Sequence, residues 1–397
     1  MTGALDYPTL DLTGIGRLGE ALARLDEQHV FVFGGIPGEH VEVEMLRRRR
    51  KYLAARVRKV LSPSPDRIEP PCPYFGHCTG CQWQHISYQH QLALKKDAVR
   101  DAFSRIGELE NAPILDVLPA PEQFGYRNHA RFTIGPEGAL GFVHRETRRF
   151  VRIDHCMLMH PRINEILSQL QGKCAETTQL SIRCGINTGD YLIQPRLRNP
   201  DVPLETGQTH YSESLLGNRF RVASPSFFQV NTRQAERMAG LVRSKLGLDG
   251  SGTLVDAYAG VGTFAVLMAP FASQVIAIED SSAAVEDAEV NTTGSPNIRF
   301  MLGKTEDVLG QLEERPDAVI MDPPRKGCHP QALEALKKAA PARVVYVSCD
   351  PATLARDLKV LCDGTFQLVS VQPVDMFPQT HHLECVAILA ARRASGE

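Results

Sequence analysis

Between residues 8 and 61 apolar and polar positions alternate in short runs broken by glycines, as in HVFVFGGIPGEHVEVEML and YLAARVRKVL. A period of two places alternate side chains on one face of a strand, so this stretch predicts a small β-barrel of the oligonucleotide-binding kind. SPSPDRIEPPCPYFGHCTGC follows, rich in proline and cysteine, and reads as a linker into a cysteine knuckle. The period then lengthens, and YQHQLALKKDAVRDAFSR predicts a helix from Tyr88 to about Arg105. Residues 113–225 are mixed. ARFTIGPEGALGFVHRETRRFVRI predicts β-hairpins turning at glycines, and HPRINEILSQLQ predicts a helix.

From about residue 226 strands and helices alternate. TLVDAY, QVIAIE, IRFMLG, DAVIMD and RVVYVS are short β-branched runs, with helical SAAVEDAEVN and PQALEALKKAA between them. That rhythm predicts a parallel sheet with crossover helices. FQLVSVQPVD and ECVAILAARR are joined by a short loop and should pair antiparallel. A parallel sheet closed by such a hairpin is the layout of the common class I, Rossmann-like methyltransferase fold. The fold class is thus α/β, in three parts: residues 1–61 a barrel, 62–225 a central α+β domain, and 226–397 the doubly wound sheet.

Composition changes this picture little. Of 397 residues 43% are hydrophobic and 23% charged, ordinary for a globular protein. No run approaches the roughly 18 apolar residues of a membrane helix, and the start lacks a basic-then-apolar leader, so a cytoplasmic protein without membrane contact is expected. Net charge is −2, but its distribution is uneven. Residues 1–44 carry two basic and eight acidic side chains, whereas residues 45–59 carry eight basic and none acidic. Such a stripe can hold phosphates, or it can be a solvated face.

Candidate chemistry begins after TLVDAY, where Ala259-Gly260-Val261-Gly262-Thr263 leads into a helix. Glycines there let a ligand approach the backbone at a helix N-terminus. Glu279 ends the next strand, placed to take both hydroxyls of a ribose. The loop alone suits a dinucleotide as well as S-adenosylmethionine. Asp256 and Tyr258 tip the balance, because a carboxylate just before the glycines attracts a cationic methionine end and repels a pyrophosphate. Three further segments fall at carboxyl ends of strands, where open α/β sheets bind ligands. They are Asp322-Pro323-Pro324-Arg325, Ser348-Cys349-Asp350-Pro351 and His381-His382-Leu383-Glu384. A cysteine, a carboxylate base and a sulfonium donor are the parts needed to methylate carbon 5 of a uracil.

These segments make the chain similar to the RNA (uracil-5-)-methyltransferase family. FFQVN at 227–231, DAYAGVGTF at 256–264, DPPRKG at 322–327, VSCDPATLARDL at 347–358 and HHLEC at 381–385 come in family order. The resemblance implies 5-methyluridine formation with Cys349 as nucleophile and Glu384 as base. It also implies that Gln229, Tyr258, Gly260, Gly262, Glu279 and Asp322 line the cofactor site. One position departs, since Asp350 stands where the family is associated with asparagine, and a carboxylate beside the nucleophile tends to raise the thiol pKa. An amino-methyltransferase, the first alternative, would carry an aromatic residue where Arg325 stands. A non-enzymatic iron–sulfur RNA-binding protein, the second, would not need Glu279, Cys349 and Glu384 together.

Cys72, Cys78 and Cys81, with Cys156 far downstream, are thiolate-rich ligands that suit iron–sulfur or zinc. The resemblance implies a 4Fe–4S cluster on these four. The other cysteines, Cys174, Cys184, Cys328, Cys362 and Cys385, have no partner spacing and read as packing. GIGRLGEAL and GGIPGEHVEVEM resemble the RNA-binding TRAM module. The stripe Arg47–Lys51 with Arg56, Arg58 and Lys59 is expected to meet phosphates, as are Arg127, Arg131, Arg145, Arg148, Arg149 and Arg152. Phe227, Phe228 and Phe377 are candidates for stacking on bases. The expected partner is RNA, with 23S ribosomal RNA ahead of transfer RNA, and the expected state is a monomer.

Overall fold

The computed structural model describes residues 7–49, 52–78, 80–144 and 147–392. Arg50, Lys51 and Arg145 of the two basic stretches lie outside the described residues.

The N-terminal part is one curled, six-stranded sheet. Its strands are β1 (Thr9–Asp11), β2 (Gly14–Ile15), β3 (Ala21–Leu25), β4 (Gln28–Phe33), β5 (His40–Arg48) and β6 (Tyr52–Ser62). They lie in the order β1-β5-β6-β4-β3-β2, a half-barrel. The alternation read from the sequence fills its concave side: Val30, Val32, Val41, Val43 and Ala55 are buried together.

The helix expected at Tyr88 forms as α1 (Tyr88–Arg105). The central region holds β7 (His129–Ile134), β8 (Leu140–Val143), β9 (Phe150–Arg152), α2 (Pro161–Leu170), β10 (Gln179–Cys184) and β11 (Tyr191–Gln194). These strands form an antiparallel sheet, ordered β11-β10-β7-β8-β9, with α2 packed on it. A separate hairpin, β12 (His210–Leu215) and β13 (Asn218–Ala223), follows.

The C-terminal part opens with α3 (Thr232–Leu246), capped by Asn231 and stopped by Gly247 in the left-handed region. Then come β14 (Thr253–Asp256), α4 (Thr263–Met268), β15 (Gln274–Glu279), α5 (Ser282–Asn291), β16 (Ile298–Leu302), α6 (Thr305–Val308) and β17 (Ala318–Met321). The chain ends with α7 (Pro330–Ala339), β18 (Arg343–Ser348), α8 (Pro351–Leu361), β19 (Phe366–Val374) and β20 (Glu384–Ala391). Seven strands form one sheet in the order β16-β15-β14-β17-β18-β20-β19. The five from β14 to β18 are parallel, and β20 runs antiparallel to both its neighbours, as the short connecting loop predicted. Central strands such as AVIM in β17 are buried on both faces, which is why they read as unbroken apolar runs.

Packing departs from chain order at one place. Val99 and Phe103 of α1 are buried with α7 and α8 against the C-terminal sheet. Residues 114–118 pair with the outer edge of β19. Helix α1 therefore covers the sheet beside the strand end that carries Glu384.

Candidate active site

The first half of the site is the turn after β14. Gly260 and Gly262 have φ of 55° and 86°, a region that penalises other side chains, so the two glycines make this turn possible. The Gly260 amide donates to Glu279 Oε2 at 2.8 Å and the Ser281 amide donates to Oε1 at 2.9 Å, which pins that carboxylate at the mouth of the turn. The Ala265 amide of α4 donates to Asp256 Oδ2 at 3.0 Å. Asp256 Oδ1 is buried and has no hydrogen-bond partner among the described residues. Burial, then the charge of Asp322, pushes Asp256 up to about 8, and burial lifts Asp322 to about 7. Burial also raises Glu279, against the two amide bonds it accepts. The charges of Asp322 and Glu279 thus both reach buried Asp256, a grouping favoured when protons or a cationic ligand offset the charge. Tyr258 lies against this pocket, hydrogen-bonded to Thr305 and Cys328. Gln229 is half-buried, and its carbonyl accepts from Asn128 Nδ2 at 3.0 Å.

The second half stands on β18 and β20. Ser348 lies opposite Cys385 in their antiparallel register, which sets Cys349 and Glu384 beside each other at one sheet edge. Burial and the Glu384 charge push the Cys349 thiol up to about 11, while Arg325 opposes this through its charge and a hydrogen bond. Glu384 is raised well above the usual carboxylate range by burial and by Asp322, with Arg325 again opposing. The Pro323-Pro324 turn carries Asp322 and Arg325 into the same space. Asp350 turns away from the thiol. Its Oδ1 accepts from the Ala352 and Thr353 amides at 3.0 and 3.2 Å, capping α8, and its Oδ2 accepts from Arg17 of the half-barrel at 2.9 Å.

The loop 375–383 delivers Glu384, and it is held from outside by residues that no motif marks. Gln379 adopts a φ of 69°, and its carbonyl accepts from the amides of Gln82 and Trp83 at 3.1 Å each. Gln91 of α1 both donates to and accepts from Gln379 at 3.0 Å. Lys95, wholly buried, donates to Asp375 Oδ1 at 2.6 Å, and the Tyr88 hydroxyl donates to Oδ2 at 2.9 Å.

Cys72, Cys78, Cys81 and Cys156 converge on one cavity of about 820 Å³ counted with its open mouth. Burial, and secondarily the other cysteines of the group, raises Cys78, Cys81 and Cys156. Among the described residues, no three His, Cys, Asp or Glu side chains stand close enough to grip a single metal ion. Of the cysteines expected to be packing, Cys328 is buried but polar in its contacts, at 3.2 Å from the Tyr346 hydroxyl. Arg56 and Arg58 of the basic stripe are paired across β5 and β6 with Glu44 and Glu42. Such exposed pairs are worth about 0–1 kcal/mol and yield readily to a phosphate. Of the three aromatic candidates, Phe227 is 73% exposed, Phe228 is buried, and Phe377 packs edge-on against His382 at 6.0 Å.

Comparison with known proteins supplies the family and the fold. The family model described as tRNA (Uracil-5-)-methyltransferase matches residues 217–392, from the β12–β13 hairpin to the end of the seven-stranded sheet. An uncharacterized RNA methyltransferase of Thermosynechococcus vestitus is 35% identical over 96% of this chain and 97% of its own. Another, from Gloeobacter violaceus, is 36% identical over 96% of both chains. Among solved structures, the Pyrococcus abyssi tRNA (uracil-54, C5)-methyltransferase in complex with S-adenosyl-L-homocysteine shares the fold. Its TM-score is 0.76 at 24% identity, over 96% of this chain and 99% of that one. The chain belongs to the RNA (uracil-5-)-methyltransferase family of enzymes. No helix among the described residues is long and apolar enough to cross a membrane.

Proposed function

We propose that the protein methylates carbon 5 of a uridine in RNA from S-adenosylmethionine, through a covalent adduct between Cys349 and carbon 6 of the base. The observation that carries this is the pairing of Cys349 with Glu384 at the edge where Asp322 and Arg325 also meet. Bound in the pocket of β14 and β15, S-adenosylmethionine supplies an electrophilic methyl group. The unpartnered Oδ1 of Asp256, with Asp322, suits its ammonium, and Glu279 suits its ribose hydroxyls.

Each protein group then has a task. Arg325 stabilises the Cys349 thiolate, which adds to carbon 6 and makes carbon 5 nucleophilic. After carbon 5 has taken the methyl group, Glu384 removes the proton left there. The electron pair of that C–H bond re-forms the ring double bond and expels the thiolate. Burial makes the Glu384 carboxylate a stronger base than it is in water, which suits this step. Exposed Phe227 suits stacking beside a uridine turned out of its strand.

Glu384→Gln is expected to halt the reaction after adduct formation. Methylated RNA bound to protein should survive denaturing electrophoresis, and turnover should fall about 10²- to 10⁴-fold. If no such species forms while turnover is also lost, the carboxylate has another role. Ribosomal RNA is the substrate proposed ahead of transfer RNA, and cytoplasmic action is proposed with it. Incubating each RNA fraction separately with the wild-type enzyme and measuring 5-methyluridine distinguishes the two RNAs.

Cofactor affinity should also depend on pH. Burial, which lifts Asp256 to about 8 and Asp322 to about 7, favours their protonated forms near neutrality, and a bound cation favours the charged ones. Affinity should therefore climb from about pH 6 to pH 9, with protons released on binding. Titration calorimetry in buffers of different ionisation enthalpy measures that release, and Asp256→Asn should flatten the rise.

We also propose that Cys72, Cys78, Cys81 and Cys156 hold a 4Fe–4S cluster. Four cysteines line one cavity, and thiol ligands suit such a cluster. Its place is structural, since the segment after Cys81 holds Gln379. Iron and sulfide analysis of the purified protein tests the assignment.

A further inference from the structure

The half-barrel sends one turn into the catalytic edge. Between β2 and β3, residues Gly16 to Glu20 fold back on themselves, with the Gly16 amide donating to the Glu20 carbonyl at 2.7 Å and the Leu18 amide donating to Glu20 Oε2 at 3.1 Å. The turn is seated on the site itself. The Trp83 indole nitrogen donates to the Gly19 carbonyl at 2.9 Å, and a Cβ added at Gly19 would lie 2.8 Å from Cβ of His381. The tip points outward. The Arg17 side chain is 78% exposed and Leu18 is 47% exposed. From that tip Arg17 reaches Asp350, the neighbour of Cys349.

A rigid turn with an exposed cation, placed one residue from the nucleophile, is poorly explained as a stabilising contact. Although the Asp350 side chain is only 19% exposed, a pair whose cation is this open to water is screened and contributes on the order of 1 kcal/mol. It is, however, well suited to exchange. An RNA strand whose uridine enters the site must bring its phosphates past this rim, and a phosphate matches the guanidinium fork as a carboxylate does, while Asp350 offers Arg17 one oxygen only.

We propose that the Gly16–Glu20 turn is part of the RNA-binding rim of the active site, and that Arg17 exchanges Asp350 for a phosphate flanking the target uridine. The inference rests on the reading of Cys349 as the nucleophile. Asp350 then has two duties. Its Oδ1 caps α8 throughout, and its Oδ2 keeps Arg17 at the rim until RNA arrives. The acid beside the nucleophile, a departure from the asparagine associated with the family, is in this light the holding partner of Arg17.

The test uses the full-length protein and a fluorescent ten-residue oligouridylate, titrated at several salt concentrations. The proteins are wild type, Arg17→Ala, Arg17→Lys and Asp350→Asn. Arg17→Ala should weaken binding about 3- to 10-fold and make the log–log salt slope shallower by about 0.7, the value for one lost phosphate contact on a single strand. Arg17→Lys should keep the slope. Asp350→Asn, which retains a capping side chain, should bind at least as tightly as wild type. With the RNA fraction that the enzyme methylates, Arg17→Ala should raise KM far more than it lowers kcat. An unchanged salt slope in Arg17→Ala would overturn the proposal. So would equal weakening by Asp350→Asn, which would mark the pair as a structural latch, or a wild type that fails to bind the oligouridylate. Trapping of the Glu384→Gln adduct reports on Cys349 separately, so failure of that reading can be told from failure of this one.

Discussion

Cys349→Ala is expected to yield no detectable 5-methyluridine, a loss of about 10⁴-fold or more. The size follows from the chemistry. Carbon 5 of uracil is a poor nucleophile until something adds at carbon 6, and Cys349 offers a sulfur at the strand end that is not fully buried, unlike Cys385 opposite Ser348. Glu384, Asp322 and Arg325 can move or stabilise charge, but they do not replace that bond. Wild-type activity should rise with pH above 7, because a thiol held near 11 by burial and Glu384 is a thiolate only in small fraction at neutrality. Nucleoside analysis by mass spectrometry after incubation with unmethylated RNA reads both effects. A methylated nucleoside still formed by Cys349→Ala would sink the covalent mechanism and favour an amino-methyltransferase-like transfer. Cofactor binding to the variant, followed by calorimetry, shows that any loss is chemical, since Cys349 follows β18 while Asp256 ends β14, Glu279 ends β15 and Asp322 follows β17.

Lys95→Met should be the most damaging substitution for stability among those considered, costing about 3–5 kcal/mol. Lys95 and Asp375 are both fully buried and 2.6 Å apart. Burial alone pulls the lysine pKa down, and Asp375 is what opposes that. Removing the ammonium leaves a carboxylate in the interior with, among the described residues, the Tyr88 hydroxyl and the Phe377 amide as its remaining donors. Urea unfolding monitored by circular dichroism measures the loss. A change under 1 kcal/mol would mean that the buried pair contributes little to stability. The same substitution should lower the methylation rate even where the protein remains folded, because Lys95 also donates to the Phe377 carbonyl inside the loop that ends at Glu384.

The two outcomes draw on different kinds of legibility. The seven-stranded sheet could be read from β-branched runs and glycine turns, and Gly260, Glu279, Asp322, Cys349 and Glu384 from their positions at strand ends. Residues in such places are marked by local pattern, and a sheet of this winding brings its strand ends together. Lys95 and Asp375 lie 280 positions apart, and Arg17 and Asp350 lie 333 apart. Periodicity says which face of α1 is buried, but it does not say what lies opposite, and a lysine on that face resembles any other helical lysine. The glycines bracketing Arg17 announced a turn without saying where it would dock. The pairing of two arginines of the basic stripe was hidden for a related reason. Glu42 and Glu44 alternate along β5 in step with Arg56 and Arg58 on β6, a relation visible only once the strands are paired.

The antiparallel register of β18 and β20 has a further consequence. The proposed nucleophile and base adjoin neighbouring strands of a central sheet, so their spacing is set by a ladder of backbone bonds. Loops can lengthen, and surfaces can change charge, without altering that distance. A lineage adapting to a new RNA therefore has its freedom at the entrance, where Arg17 and Leu18 stand, while the reacting pair stays as it was. Substrate choice and bond-making are in this way separable traits, open to independent selection.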